Sequence, residues 1–237
     1  MRTGRTIAGL FVATSMLALL VACQPDPTGG ARPPAPEATV PPFTSSVRSA
    51  TRDDVYLSWR DGCPLHWSEL RVVGVAYWGY DGARHVGPLV VHRTTTTALV
   101  KVFESLYRQR FQIQRIHRVD DYGASDDRSM AANNTSAFNC RKVAGSTRWS
   151  KHAWGLAIDI NPMQNPYVYN GAYDPPGSER WADRSQVVPG MIVEGGPVVG
   201  AFDSIGWAWG GRWGSPLDYQ HFEVKTCPST TTACRRY

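Results

Sequence analysis

The apolar positions along the chain fall into short segments of two periods. Leu70 to Trp78 is apolar and rich in β-branched residues, which predicts a strand. Gly79-Tyr80-Asp81-Gly82 carries turn chemistry. His85 to His92 predicts a second strand, so the two are expected to form a hairpin. Over Thr94 to Arg110 the period changes: Ala98, Leu99, Val102, Phe103, Leu106 and Tyr107 follow helical spacing, with a threonine to cap the start. Ile113 to Val119 alternates and predicts another strand. Asp120 to Arg148 is long and polar and reads as a loop, and loops of that length in a compact domain usually carry function. Leu156 to Ile160 is a short buried strand, Asn161 to Pro176 is turn-rich, and Val198 to Ile205 is a short helix. Trp207 to Trp213 reads W-A-W-G-G-R-W, a rigid aromatic-glycine loop that lines a cleft or serves packing, and Phe222 to Val224 begins a last strand. Strands and helices mixed without βαβ regularity predict an α+β fold, a small antiparallel sheet with flanking helices.

The N-terminal segment follows a different pattern. Arg2 and Arg5 precede a mostly apolar run, Ile7 to Val21. The run falls short of the roughly 20 residues that a membrane span needs but suits the apolar centre of a secretory signal, residues 1–22. It ends in Leu20-Val21-Ala22-Cys23, which resembles a lipobox. The expectation is cleavage before Cys23 and diacylglycerol on its thiol, so that acyl chains tether the exported protein to the outer face of a membrane. Residues 23–47 form the expected tether: Gln24 to Ser46 holds seven of the chain's 17 prolines and few apolar side chains, too little to bury a core. The folded domain is then expected over residues 48–237.

Composition changes this picture little. Hydrophobic content of 42% is that of a globular protein, and a net charge of +5 without a Lys/Arg run gives no reason to expect a nucleic-acid partner. Cysteine count adds more. Of five cysteines, removing Cys23 leaves Cys63, Cys140, Cys227 and Cys234, an even number in an exported chain, which suggests two disulfides. Three connectivities are possible. The expected one closes a local loop with Cys227 and Cys234 and joins Cys63 to Cys140. No C-x-x-C pair supports a zinc role for them, and no histidine beside Cys140 supports a thiol hydrolase.

Candidate chemistry lies in two clusters. Trp149 to Pro162 reads W-S-K-H-A-W-G-L-A-I-D-I-N-P, and Asp218 to Glu223 reads D-Y-Q-H-F-E. Asp159 stands in an apolar strand, where a carboxylate is costly unless paired or metal-bound. His152 lies seven positions before it, across a glycine turn, which favours metal ligation. His221 would complete a set of three ligands with an open position for water. Asp218, three residues before His221, is placed to accept a proton from such a water, with Glu223 the weaker candidate. His66, His85, His92 and His117 have no carboxylate at ligand spacing and are read as structural.

The two clusters, S-x-H-x-x-G-x-A-x-D followed by D-x-x-H, resemble the zinc D-alanyl-D-alanine carboxypeptidase and L-alanyl-D-glutamate peptidase family, which has a hedgehog-like fold and cleaves peptidoglycan stem peptides. The resemblance extends over roughly Leu70 to Val224. It implies zinc as cofactor, His152, Asp159 and His221 as its ligands, and Asp218 as the catalytic base. It implies substrate contacts at Ser150 and an arginine for the substrate carboxylate or developing oxyanion, Arg141 in N-C-R, with Arg148 as competitor. Asp in place of Glu at 218 resembles the endopeptidase branch, so the scissile bond stays open. The expectation is a monomeric, lipid-anchored peptidase facing the cell wall, with peptidoglycan peptides as substrate and the membrane as anchor. The alternative is a non-catalytic zinc-containing binding module of the same fold.

Overall fold

A computed structural model describes residues 40–225. The expected signal peptide of residues 1–22, the lipidated Cys23, most of the tether, and the Cys227–Cys234 pair lie outside the described residues. Among the described residues, no helix is long and apolar enough to cross a membrane.

Three small antiparallel sheets and three helices make up an α+β architecture. The first sheet has β2 (Leu70–Trp78) at its centre, between β1 (Ser45–Ser49) and β3 (Arg84–His92). β2 and β3 form the expected hairpin, with Leu70 opposite His92 and Trp78 opposite Arg84. The expected tether boundary at residue 47 is corrected here. Ser45 to Val47 already pair with Val75 to Val73, and the Tyr107 hydroxyl donates to the Pro41 carbonyl. Polar, proline-rich composition hid a strand of exposed side chains, which is held by its backbone bonds and by the pairing of Arg48 with Asp54.

The two faces of this sheet nucleate two cores. Val73, Val75, Leu89 and Val91 pack against helix α1 (Thr96–Arg108) through Leu99, Val102, Phe103 and Leu106. Leu70, Val72 and Val90 pack on the other side with Phe138, Cys140, Trp154 and Leu156. Alternation along a strand sends successive side chains to opposite faces, so one hairpin serves both. α1 begins two residues later than the spacing predicts. Thr94 N donates to His92 Nδ1 and Thr95 Oγ1 to the His92 carbonyl, which uses these residues in a turn.

The second sheet runs β4 (Ala157–Asp159), β9 (His221–Val224), β7 (Trp207–Trp209), and its apolar residues join the first core together with α3 (Pro197–Ser204). The third runs β6 (Ala172–Asp174), β5 (Tyr167–Tyr169), β8 (Leu217–Asp218). The β5–β6 hairpin sits inside the segment read as turns alone. Its two-residue turn is Asn170-Gly171, both at positive φ, the strongest short hairpin signal a sequence can carry.

Two further expectations are corrected. Ile113 to Val119 is not a strand: Gln114 N donates to Asn161 Oδ1 and His117 N to Asn134 Oδ1, so side-chain amides stand in for a neighbouring strand. Asp120 to Arg148 is not a plain loop. It contains helix α2 (Asp126–Ala131), capped by Ser125, followed by a fully buried run from Asn134 to Cys140. The Cys63–Cys140 disulfide is present, with Cα atoms 5.9 Å apart.

Candidate metal centre

The centre is assembled from three backbone devices. His152 lies on a 3-10 turn, Lys151–Trp154, whose first free N–H groups are capped by Ser150: its hydroxyl accepts from His152 N at 3.2 Å. The turn closes on Gly155 at φ 63, where a Cβ would stand 2.6 Å from the His92 backbone nitrogen, so only glycine fits against β3. The chain then enters β4. Asp159 is directly opposite His221 in the β4–β9 register, and cross-strand partners bring their side chains together. On its other edge Asp159 exchanges backbone hydrogen bonds with Ser136.

The result is two imidazoles and a carboxylate facing one another in a nearly closed space. His152, Asp159 and His221 are 2%, 5% and 7% exposed. His152 Nε2 lies 3.0 Å from Asp159 Oδ2 and 3.2 Å from His221 Nδ1, which lies 2.9 Å from Asp159 Oδ1. One potential ligand atom from each lies within 4.8 Å of the others.

The outer nitrogens decide what the inner ones are. His152 Nδ1 meets the Ala137 carbonyl at 2.5 Å, and His221 Nε2 meets Glu223 Oε2 at 3.2 Å. A carbonyl and a carboxylate only accept, so both outer nitrogens donate. In the neutral rings His152 Nε2 and His221 Nδ1 are then lone pairs, pointed at each other and at a carboxylate. Three acceptors in a buried space require a cation. The donor set of two imidazole nitrogens and one carboxylate oxygen, with both rings held from behind, fits zinc. The same field is visible in the protonation equilibria. Burial alone lowers the pKa of His221, yet hydrogen bonds to Asp159 and Glu223 push it up to about 10. Burial alone raises Asp159, yet His152 and His221 hold it well below the usual carboxylate range.

Asp218 reaches the centre from the third sheet. Its strand is packed so closely on Gly210 that a Cβ there would lie 2.6 Å from the Asp218 carbonyl oxygen. Burial pushes the Asp218 carboxyl up to about 7, with His221 opposing, and its Oδ1 has no hydrogen-bond partner. A carboxylate with that affinity and a free oxygen suits proton transfer near neutral pH. Glu223, the weaker candidate base, is instead committed to orienting His221.

These groups line one cavity of about 510 Å³. Arg141 and Arg148 both line it, on the strip joining Cys140 to Ser150. They differ in environment: Arg141 is half-buried and pairs with Asp126 at 2.8 Å, whereas Arg148 is exposed. Ser150 is also on the wall, with its hydroxyl engaged as the cap described above. The aromatic-glycine loop divides its tryptophans. Trp207 and Trp209 are core residues on β7, and Trp213 alone reaches the cavity, its ring 5.4 Å from that of His221. The four remaining histidines are elsewhere: His66 caps a 3-10 turn, His85 pairs with Asp81, His92 is buried against Thr94, and His117 stacks on Tyr122. Sequence reading missed Tyr167 and Asp174 on the cavity wall. The Asn170-Gly171 turn was the signal for them, because a two-residue hairpin sets Tyr167 opposite Asp174.

No curated protein and no solved structure matches the chain. One family model does, described as D-alanyl-D-alanine carboxypeptidase, over residues 144–224, a shorter stretch than the resemblance from Leu70 onward. That stretch holds His152, Asp159, Asp218 and His221, and over it the chain is similar to the D-alanyl-D-alanine carboxypeptidase family of peptidases.

Proposed function

We propose that the protein is an exported zinc peptidase that hydrolyses peptides of the cell-wall peptidoglycan, working as a monomer tethered through lipidated Cys23. The observation that carries this reading is the convergence of three lone-pair ligands at one end of a cavity that also holds a free carboxylate, Asp218. Bound zinc supplies Lewis acidity there, making water acidic enough to attack a carbonyl near neutral pH.

The remaining steps belong to the chain's own side chains. Asp218 Oδ1 accepts a proton from the attacking water, whose oxygen bonds to the scissile carbonyl carbon. As the C–N bond breaks, the protonated Asp218 returns that proton to the leaving amine and the water's second proton passes from the new carboxyl group to the same amine, so water is consumed and a carboxylate and an ammonium group are released. His152 and His221 stay fixed by Ala137 and Glu223 throughout. Arg141 turns from Asp126 to hold the substrate's terminal carboxylate, a bidentate contact suited to guanidinium. Arg148 borders the same opening from the solvent side.

A carboxylate-binding arginine favours removal of a C-terminal residue over cleavage within the stem. Digestion of purified muropeptides followed by mass spectrometry distinguishes them. Loss of one terminal alanine is the expected result. Release of the stem from its first L-alanine would assign the endopeptidase reaction, and no change in any muropeptide would overturn the reading.

A further inference from the structure

The third sheet carries Asp218, yet of the three sheets it has the least apolar support. No side chain of β6, β5 or β8 is fully buried, and strands this short are marginal without an apolar face to bury. Asp218 stands on β8, a two-residue edge strand whose sheet partner is β5. The next residue, Tyr219, is held from two sides. Its carbonyl accepts from Nε1 of Trp209, a core residue, at 2.9 Å. Its N–H donates to the Pro166 carbonyl at 3.2 Å. On that second side the placement of Asp218 depends on the turn from Asn161 to Tyr167 that leads into β5.

A polar staple holds this turn. Asn165 is fully buried. Its Nδ2 donates to the carbonyls of Ile160, Asn161 and Gly190, and its Oδ1 accepts from Ile192 N at 2.7 Å and from Arg184 Nη2 at 2.8 Å. Arg184 Nη1 donates to the Gln164 and Trp181 carbonyls at 2.7 and 2.9 Å, and Nη2 also donates to the Ile192 carbonyl. The guanidinium carbon lies 4.5 Å from the centre of the Tyr219 ring. One side chain therefore touches both the turn before β5 and the residue after Asp218. None of its acceptors is a carboxylate. Burial pushes the pKa of Arg184 down to about 10, with Tyr219 opposing, and its Nε has no hydrogen-bond partner. A cation among neutral acceptors is costly, and a planar fork that reaches four oxygens while stacking on a ring is what arginine alone supplies.

Resting on the peptidase reading above, we infer that Arg184 is a positioning residue for the reaction: it clamps Gln164 and Asn165 to Tyr219 and so fixes Asp218 where it meets the proton of the attacking water. Arg184 is not among the residues that line the cavity, so it acts through the strand and not on the substrate. Misplacing a reacting group by about 1 Å can cost about 10²-fold in rate.

The test uses the zinc-loaded full chain and a purified muropeptide whose stem ends in D-Ala-D-Ala, which carries both candidate bonds. Arg184→Met is expected to lower kcat by about 10²-fold, with KM within about threefold and one zinc still bound. In the Asp218→Ala background the same substitution is expected to leave the residual rate within about twofold, because the group it positions is gone. Amide hydrogen exchange at Tyr219 is expected to rise by at least about tenfold in Arg184→Met, with β2 and β3 unchanged. Arg184→Lys keeps the charge without the fork and is expected to fall between wild type and Arg184→Met in both readouts, so it carries the test if Arg184→Met does not fold. An equal loss of rate in both backgrounds is the mark of a merely structural residue and would overturn the assignment. So would an unchanged kcat, a lost zinc, unchanged exchange at Tyr219, or wild-type behaviour of Arg184→Lys. Faster exchange at Tyr219 in a protein that cleaves nothing keeps the clamp and removes the peptidase reading. Cleavage with kcat and exchange both unchanged does the reverse.

Discussion

Two pairs of buried or half-buried acids divide this molecule. Asp54 and Asp120 belong to the region around the first sheet, and the chain supplies donors to both. Asp54 receives both terminal nitrogens of Arg48 at 2.6 Å, together with Thr51 N at 2.8 Å and Thr51 Oγ1 at 2.9 Å. Asp120 Oδ1 accepts from Leu57 N and Ser58 N at 2.8 and 3.1 Å. Asp159 and Asp218 belong to the cavity, and the chain leaves them wanting: one faces two imidazole lone pairs, and the other keeps an oxygen without a donor. Burial is shared by the two pairs, so burial alone does not mark a functional acid. What marks it is an acceptor whose partners are missing from the chain itself.

The comparison breaks first at Asp218. Asp218→Ala is expected to lower kcat by about 10²–10⁴-fold, the range for a general base, while metal analysis still finds the ion. Activity within a few-fold of wild type would move the base elsewhere. The next effect is linkage. Zinc at about 100 times its dissociation constant is expected to add about 2.7 kcal/mol to unfolding free energy. His152→Ala should lose that increment in a thermal melt, and Asp120→Ala should keep it.

Asp120→Ala tests the other side. It strips two backbone N–H groups of their acceptor and is expected to cost about 1–3 kcal/mol in denaturant titration, with zinc affinity unchanged. The smallest effect belongs to Asp54. Arg48 holds its carboxyl well below the usual range, against the opposing effect of burial. A depressed folded pKa gives stability that is complete above the unfolded value of about 3.9 and is lost as pH falls toward the folded one. Because Arg48 is largely exposed, the contribution is at most about 1 kcal/mol. The melting temperatures of wild type and Asp54→Asn should therefore differ at pH 7 and begin to converge only as pH falls below 4 toward the folded pKa.

The same contrast explains what was legible in the sequence. His152, Asp159, Asp218 and His221 could be read because each lies in a short apolar strand or turn where a charged residue needs a reason. The β2–β3 hairpin and α1 could be read from their periods. The segment from Asn133 to Asn139 could not. Its asparagines, threonine and serine look like loop, yet they are buried because their side chains replace backbone partners: Asn134 alone accepts from His117 N and donates to the His117 carbonyl and Ser129. Trp207 and Trp209 were equally ambiguous, since an aromatic next to glycine fits both a cleft and a core. Glu223 was read as a second candidate base, although two residues along a strand from His221 it sits where it can hold that ring.

The most direct measurement is hydrolysis of a peptide ending in D-Ala-D-Ala by the purified protein, first stripped with a chelator and then titrated with zinc. Activity that vanishes on stripping and returns in full at one zinc per chain, in wild type and not in His152→Ala, is the expected result. A stripped protein that cleaves the peptide at the wild-type rate would contradict the metal centre on which everything else rests.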